Sequence, residues 1–285
     1  MMNPSTQSQN KISAIQMTST ASLVENLAIV ETLMNKAVAE GASLIVLPEM
    51  FPIAGMETTD KIRVSEPFGT GQIQDFLSQQ AQKNNLWIVG GTIPLKTDNP
   101  NQISAACLVY NDQGKVVGRY DKIHLFDVDI SQTESYRESA TTHPGSTVTV
   151  IDTPVGKLGL AVCYDIRFPE LFRRLFNLGA EIFAIPAAFT VSTGQAHWEI
   201  LARSRAIENF CYVVGACQTG KHDNGRKTYG HSLIINPWGE VINSLAEGTG
   251  VITAEIDREK LHEIRKKMPI ADHQKLYFSE PKASK

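Results

Sequence analysis

Short apolar runs alternate along the chain with stretches in which apolar residues recur at helical spacing. Short runs bounded by turn residues predict buried strands, and helical spacing predicts helices that bury one face. The strands predicted in this way are 11–17, 42–47, 86–92, 103–110, 115–120, 157–162, 181–185, 212–217, 232–236, 240–245 and 250–255. The predicted helices are one that follows Ser22 and others at 72–83, 169–177, 196–209 and 258–267.

Turn and capping residues mark several of these boundaries. Ser22 followed by Glu25 has the spacing of a capping box at a helix start. The segment 111–114, Asn-Asp-Gln-Gly, lies between two apolar runs and predicts a hairpin. Pro169 stands in a first helical turn, a position that proline favours. Strands and helices in this order predict a mixed sheet layered with helices.

Composition and charge restrict the class of protein. The chain has 285 residues, of which 42% are apolar, enough for the core of one large domain or two small ones. A net charge of −3 gives no electrostatic support for nucleic-acid binding. No apolar segment approaches the roughly 20 residues that span a bilayer. Residues 1–10 are polar and lack the apolar stretch of a signal peptide. We therefore expect a cytoplasmic protein without nucleic-acid or membrane partners.

The cysteines and histidines do not have metal-ligand spacing. The four cysteines form no CxxC pair, and the seven histidines form no HExxH pattern. Cys107, Cys211 and Cys217 lie in or beside apolar runs, which favours packed thiols over ligands or disulfides. We expect no metal and no cofactor.

Cys163 is the most informative residue of the chain. It stands where the apolar run 157–162 breaks into Cys-Tyr-Asp-Ile-Arg-Phe-Pro-Glu, at a predicted strand-to-helix turn. Unpaired amides at a helix start favour a thiolate, so Cys163 is a candidate nucleophile. The alternative is a small buried thiol, which is the usual place of a free cysteine.

Glu49 and Lys122 stand at the ends of two other predicted strands, in 43–50 and 118–127. Open sheets place their chemistry at such strand ends. With Cys163 these residues could supply a base, an electrostatic stabiliser and a nucleophile. Either charged residue alone is more often a solvated surface group.

Three motifs resemble the nitrilase, or carbon–nitrogen hydrolase, superfamily, whose members use a Glu-Lys-Cys triad. They are Leu-Pro-Glu-Met-Phe (47–51), Tyr-Asp-Lys-Ile-His-Leu-Phe-Asp (120–127) and Gly-Leu-Ala-Val-Cys-Tyr-Asp-Ile-Arg-Phe-Pro-Glu-Leu (159–171). Further matches at 194–199, 205–209 and 230–239 resemble the amidase branch rather than true nitrilases. The resemblance implies one domain at 11–278, between a flexible segment at 1–10 and a tail at 279–285.

The resemblance also implies a fold, an assembly and catalytic roles. The fold class is α/β (α+β), a four-layer α-β-β-α sandwich, and a homodimer or higher homo-oligomer is expected. Cys163 would be the nucleophile and Glu49 the general base, while Lys122 and the backbone N–H of Tyr164 would stabilise the oxyanion. Glu138 matches the family's second glutamate, which holds the lysine and the substrate.

The predicted substrate contacts are less specific. Tyr164 follows the nucleophile, and Thr190 is a possible pocket wall by location. Arg167 could bind a substrate carboxylate because a guanidinium matches its two oxygens, or it could form an internal ion pair with Asp165. The polar segments 131–145 and 219–229 are candidate lids.

Together these features predict a cysteine-dependent amidase acting on a small-molecule amide of an α-keto acid. The resemblance favours deaminated glutathione, hydrolysed to 2-oxoglutarate and cysteinylglycine through a thioester on Cys163. The alternatives are an omega-amidase acting on 2-oxoglutaramate or 2-oxosuccinamate, another aliphatic amidase or nitrilase, and a catalytically silent scaffold. The presence of Glu49, Lys122 and Cys163 argues against the scaffold.

Overall fold

The computed structural model describes residues 10–132 and 134–276. Its strands are β1 Lys11–Gln16, β2 Leu44–Val46, β3 Trp87–Val89, β4 Ile93–Lys96, β5 Ile103–Tyr110, β6 Val116–Asp121, β7 Asp127–Asp129, β8 Ser135–Arg137, β9 Thr142–His143, β10 Val150–Thr153, β11 Gly156–Leu160, β12 Ile182–Ala187, β13 Tyr212–Cys217, β14 Thr219–Lys221, β15 Lys227–Tyr229, β16 Ser232–Ile235, β17 Val241–Leu245 and β18 Gly250–Glu255. Its helices are α1 Leu23–Ala39, α2 Asp60–Arg63, α3 Gln72–Asn84, α4 Pro169–Asn177, α5 Val191–Asn209, α6 Arg258–Lys267 and α7 Ile270–His273. None of the helices within these ranges is both long and apolar enough to cross a membrane.

Two sheets form the centre of the molecule. The first has the strand order β18-β1-β2-β3-β5-β4, with β6 and β9 also paired to β5. The second has the order β10-β11-β12-β13-β16-β17. Strands β1, β2 and β3 are parallel, and so are β11, β12 and β13. Each sheet therefore has a parallel centre whose strands all end at one edge.

The alternation of side chains along β2 shows why the sheets lie in layers. Leu44 and Val46 belong to the core shared with the second sheet and with helices α4 and α5. Ile45 and Leu47 belong to the core formed with α1 and α3. Both faces of the first sheet are buried, as expected for parallel strands. The order is helices, sheet, sheet, helices, which confirms the four-layer sandwich.

The helices begin close to the predicted positions, with one exception. The side chain of Ser22 accepts a hydrogen bond from the amide of Glu25 (3.4 Å), and α4 begins at Pro169. Helix α5 begins at Val191 rather than at 196. Gly194 lies inside its first turns, where a Cβ atom would come within 2.3 Å of the Tyr229 ring. This close packing, which local sequence does not reveal, extends the helix.

Two segments predicted as lids contain strands. Residues 219–229 form the hairpin β14–β15, and residues 131–145 contain β8 and β9. These strands are short and largely polar, so no alternation of apolar residues predicts them. The sequence pattern does not predict strand β4 because the strand contains Pro94, which is tolerated there since β4 lies at a sheet edge.

The direction of the strands brings three segments to one place. β6 is antiparallel to β5, and β5 is antiparallel to β3, so β6 runs in the same direction as β3. The chain leaves β2, β6 and β11 shortly before Glu49, Lys122 and Cys163, respectively. A parallel bridge between Met17 and Gln218, just beyond the ends of β1 and β13, joins the corresponding edges of the two sheets. The three predicted catalytic residues therefore follow strands that end at the same edge of the sandwich.

Candidate active site

A cavity of about 240 Å³ lies at this edge, and its wall includes Glu49, Lys122, Glu138 and Cys163. Glu49, Lys122 and Cys163 are buried, and the Glu138 side chain is 17% exposed. The fold thus brings together four residues that are far apart in the sequence. Burial in a shared cavity also excludes the reading of Glu49 and Lys122 as solvated surface groups.

Lys122 lies at the centre of the charged groups. Its Nζ is 2.8 Å from Glu49 Oε1 and 2.8 Å from Glu138 Oε2. Burial by itself lowers the pKa of this lysine, but the negative charges of Glu138 and Glu49 outweigh burial and raise the pKa well above its usual range. Lys122 is therefore a fixed cation at neutral pH.

Glu138 is the second carboxylate that binds the Lys122 ammonium. Its Oε2 also accepts a hydrogen bond from the amide of Phe126 (2.7 Å). Burial raises the pKa of Glu138, but the charge and hydrogen bond of Lys122 outweigh burial and keep the pKa below its ordinary value. The carboxylate is ionised, and the lysine cannot turn away without leaving a buried charge unpaired.

The backbone around Glu49 is held from several sides. The carbonyl of Glu49 accepts a hydrogen bond from Gln218 Nε2 (2.9 Å), and the amide of Met50 donates to Thr92 Oγ1 (2.8 Å). Met50 adopts a left-handed φ of 56°. Gly91 approaches so closely that a Cβ atom there would lie 2.1 Å from the carbonyl oxygen of Pro48. These contacts orient the Glu49 side chain toward Lys122.

Cys163 has an uncommon backbone conformation. Its φ is 48°, in the left-handed region that costs a non-glycine residue on the order of 1–2 kcal/mol. It opens a short 3₁₀ turn, Cys163–Arg167, between β11 and α4. Such strain is often found where a side chain must point into a functional site.

The Cys163 thiol is neutral at rest, contrary to the thiolate that the sequence suggested. Burial is the main cause that raises its pKa, and the charge of Glu49 adds to it, while Lys122 and a backbone hydrogen bond with Ala188 oppose the change. The 3₁₀ turn separates the sulfur from the start of α4 at Pro169, so the helix amides are not its nearest charges. To act as a nucleophile, this thiol would therefore need a base to remove its proton.

Asp165 holds the 3₁₀ turn that begins at Cys163 against the end of β6. Its buried carboxylate accepts hydrogen bonds from the amide of Val162 (2.8 Å), the amide of His124 (3.0 Å) and the hydroxyl of Tyr120 (2.7 Å). His124 Nδ1 lies 2.7 Å from the same carboxylate. Asp165 therefore does not form the ion pair with Arg167 that the sequence allowed, and His124 has a structural position.

We expect Asp165→Asn to lower the free energy of unfolding by about 3 kcal/mol, because an amide leaves two of these donors facing an NH₂ group in a buried site. Asp121→Asn is the matched control. Asp121 pairs with Arg119 at a partly exposed position, and its loss should cost no more than about 1 kcal/mol. Urea unfolding of the two variants measures the difference, and equal losses would contradict this role for Asp165.

The predicted substrate residues lie at different distances from the cavity. Tyr164 is part of the wall. Arg167 is not among the described residues of the wall, and its guanidinium packs over two rings that are, 5.7 Å from the Tyr164 ring centre and 5.6 Å from that of Phe189. Thr190 is not among the described residues of the wall. Its hydroxyl oxygen lies 2.8 Å from that of Thr193, and Thr193 is part of the wall.

Three residues of the wall were not singled out by the sequence, although two of them lie in the segments predicted as lids. Lys61 comes from the short helix α2, Tyr136 from β8, and Arg226 from the turn of the β14–β15 hairpin. They lie in polar surface-like segments, and only the packing of these segments over the sheet edge brings them to the cavity. In the part of the chain that the structure describes, no cluster of His, Cys, Asp or Glu has the arrangement of a metal site.

Comparisons with known proteins agree with this geometry. The family model described as carbon-nitrogen hydrolase matches residues 11–266. The deaminated glutathione amidase of Yersinia enterocolitica is 38% identical over 270 residues, covering 94% of this chain and 94% of that protein. The deaminated glutathione amidase of Synechocystis sp. is 40% identical over 264 residues, covering 91% and 96%. The crystal structure of Saccharomyces cerevisiae Nit3, a member of branch 10 of the nitrilase superfamily, is 32% identical with a TM-score of 0.83, covering 94% and 98%.

Proposed function

This chain belongs to the carbon–nitrogen hydrolase family, and we propose that it hydrolyses the amide bond of deaminated glutathione to release 2-oxoglutarate and cysteinylglycine. It is an amidase, as the names of its relatives at about 40% identity support. Relatives at this identity over almost their whole length carry that substrate in their names, which is why we prefer it to 2-oxoglutaramate.

The observation that carries the mechanism is the position of the Lys122 ammonium, 2.8 Å from the Glu49 carboxylate in the wall that also contains Cys163. An amide resists attack because the nitrogen lone pair is delocalised into the carbonyl group. The nitrogen is also a poor leaving group as an anion. A nucleophile, a proton carrier and a fixed cation meet these two difficulties. All three are present within one buried cavity.

In the first half of the reaction the Cys163 sulfur attacks the amide carbon while Glu49 takes the thiol proton. Lys122, together with the backbone N–H of Tyr164, stabilises the negative charge that develops on the carbonyl oxygen. Glu49 then gives the proton to the amide nitrogen as the C–N bond breaks. The amine leaves as a neutral molecule, and the acyl group stays on sulfur as a thioester.

In the second half a water molecule attacks the thioester carbon while Glu49 takes one of its protons. The C–S bond breaks, the carboxylic acid is released, and the proton returns to the Cys163 sulfur. The enzyme regains its neutral thiol and its ionised carboxylates. Glu138 keeps Lys122 charged and in place throughout, so we propose it as a positioning residue for the lysine as well as a contact for the substrate.

We expect kcat/KM for deaminated glutathione to exceed kcat/KM for 2-oxoglutaramate by at least about tenfold, a difference of about 1.4 kcal/mol in transition-state binding. Side-by-side initial rates with both substrates test the proposal. The reverse preference would make the protein an omega-amidase. Hydrolysis of neither, with Cys163 still alkylated by iodoacetamide, would leave the site intact but refute the substrate.

Tyr164, Arg167 and Thr190 remain proposed substrate contacts. A homodimer or higher homo-oligomer, a cytoplasmic location and the single domain at 11–278 also stay predictions, since each rests on resemblance or on composition. The predicted tail at 279–285 and most of the segment 1–10 lie outside the described residues.

A further inference from the structure

Among the described residues, the cavity wall contains three cationic side chains that have no part in the mechanism above, and one of them, Arg137, is paired with Asp129 (2.7 Å). Two remain. They are Lys61, from helix α2, and Arg226, from the turn between β14 and β15. The buried charges Glu49, Lys122 and Glu138 already form a closed set of contacts. A cation in a partly enclosed cavity needs an anionic or strongly polar partner to compensate for lost hydration. The contacts of these two side chains therefore indicate what the cavity receives.

Lys61 has only a neutral partner among the described residues. Its Nζ donates a hydrogen bond to Thr142 Oγ1 (2.8 Å), and the nearby carboxylate of Asp60 pairs instead with Arg63. Burial lowers the pKa of Lys61, while the charges of Glu138 and Glu49 act in the opposite direction. The ammonium thus lies at the cavity without a carboxylate in contact.

Arg226 is likewise without a carboxylate partner in the described part of the chain. One terminal nitrogen donates to the carbonyl oxygen of Ala188 (2.9 Å), and the guanidinium lies 5.0 Å from the centre of the Tyr136 ring. Its Nε is buried and has no hydrogen-bond partner. A guanidinium with a donor left open suits an oxygen pair such as a carboxylate.

The charge of the catalytic group makes such cations necessary for an anionic substrate. Two carboxylates, Glu49 and Glu138, surround one ammonium, Lys122, so the group has one net negative charge. Deaminated glutathione brings two further carboxylates, one beside the keto group and one on the glycine of the leaving group. In a poorly solvated cavity this repulsion would oppose binding unless other cations compensate. Lys61 and Arg226 have the sign and the position to do so.

The position of Lys61 indicates which carboxylate it meets. The segment that leads from Glu49 to helix α2, residues 50 and 52–58, lines the cavity together with Lys61. Lys61 is therefore on the side of Glu49, the residue that returns the proton to the leaving nitrogen. Arg167, by contrast, packs over the rings of Tyr164 and Phe189, in the turn that begins at Cys163. The leaving group must extend from the side where its nitrogen is protonated. Lys61 and Arg226 are therefore assigned to the leaving-group side. Arg167 remains the candidate contact for the carboxylate on the acyl side.

We propose that Lys61 and Arg226 form an anion subsite that binds the terminal carboxylate of the leaving group, the glycine carboxylate of cysteinylglycine. This inference rests on the proposed function, because it assigns one end of that substrate. It makes the pair a determinant of specificity: amides that release a dipeptide acid use the subsite, and amides that release ammonia do not.

The test compares deaminated glutathione with its glycinamide form, in which a neutral carboxamide replaces the glycine carboxylate. The quantity measured is the ratio of kcat/KM for the acid to kcat/KM for the carboxamide, because general damage to the enzyme cancels in this ratio. In the wild type we expect a ratio of at least about ten. In Lys61→Met and Arg226→Met we expect it to fall about ten- to a hundredfold, mainly through KM, since each variant removes a charged hydrogen bond.

Lys61→Arg keeps the positive charge, so its ratio of kcat/KM values should stay closer to that of the wild type than the ratio of Lys61→Met. Lys227→Met is the matched control: Lys227 is exposed, adjoins Arg226 and is outside the cavity wall, so its ratio should equal that of the wild type.

A ratio that does not change in Lys61→Met and Arg226→Met would overturn the subsite. A wild type that hydrolyses the acid and the carboxamide equally well would overturn it while leaving the proposed function standing. A wild type that hydrolyses neither would overturn both.

Discussion

Cys163→Ala should abolish amide hydrolysis, with a loss in kcat of at least about 10⁴-fold, while the protein still folds. No other thiol among the described residues of the cavity wall can form the thioester, and the remaining groups can only bind the substrate and polarise its carbonyl. Removing one sulfur from a buried turn leaves a small cavity, which should lower stability by about 1 kcal/mol. Initial rates with deaminated glutathione, together with urea unfolding, separate the two effects.

Cys107→Ala provides the matched control for this experiment. Cys107 is a fully buried thiol in β5 that is not among the described residues of the cavity wall, and burial raises its pKa as well. Its variant should retain turnover within about twofold and lose a similar amount of stability. Mass spectrometry of acid-quenched wild type should show an acyl group on Cys163. Turnover of Cys163→Ala within about a hundredfold of the wild type would contradict covalent catalysis.

Glu49→Gln should lower kcat/KM by about 10³-fold or more and at the same time make Cys163 easier to ionise. The amide keeps the shape of the side chain but cannot accept the thiol proton, and loss of a general base commonly costs about 10²–10⁴-fold. The negative charge of Glu49 raises the pKa of Cys163, whereas Lys122 lowers it. With that negative charge removed, the pKa of the Cys163 thiol falls. At a given pH a larger fraction of the thiol is then ionised than in the wild type.

The measurement is the rate of iodoacetamide alkylation of Cys163 as a function of pH, beside initial rates of hydrolysis. The alkylation profile of Glu49→Gln should move to lower pH while hydrolysis declines. Glu170→Gln, at an exposed position in the first turn of α4, should change neither. A variant that alkylates more slowly than the wild type, or that hydrolyses within tenfold of it, would show that Glu49 is not the base.

Much of the fold could be predicted from local patterns. The capping residue Ser22, Pro169 at the start of α4 and the apolar runs of β5, β12 and β13 are features in which local preference and tertiary packing agree. The errors arise where tertiary contacts decide. The early start of α5 depends on Gly194 packing against Tyr229, and the polar hairpin β14–β15 is held at the rim without an apolar pattern of its own.

The protonation state of Cys163 shows how far a local argument can mislead. The strand-to-helix turn favours a thiolate when only the nearest amides are considered. In the folded chain the dominant influence is burial, and the next is the carboxylate of Glu49, from a distant part of the sequence. Electrostatic interactions depend on distance in space and on the loss of water, neither of which can be read from residue order.

The sequence by itself determined the family and, through that resemblance, the layered architecture, because motifs are local properties of the chain. It also singled out Glu49, Lys122, Glu138 and Cys163 as the predicted catalytic residues. Only the tertiary structure decided that Glu138 and Glu49 hold the same ammonium, that Asp165 anchors the turn at Cys163 and that Thr193 lines the cavity. It also placed Lys61 and Arg226 in one wall. These facts depend on long-range packing of loops that carry no periodic signal, so they exist only once the sheets have closed on each other.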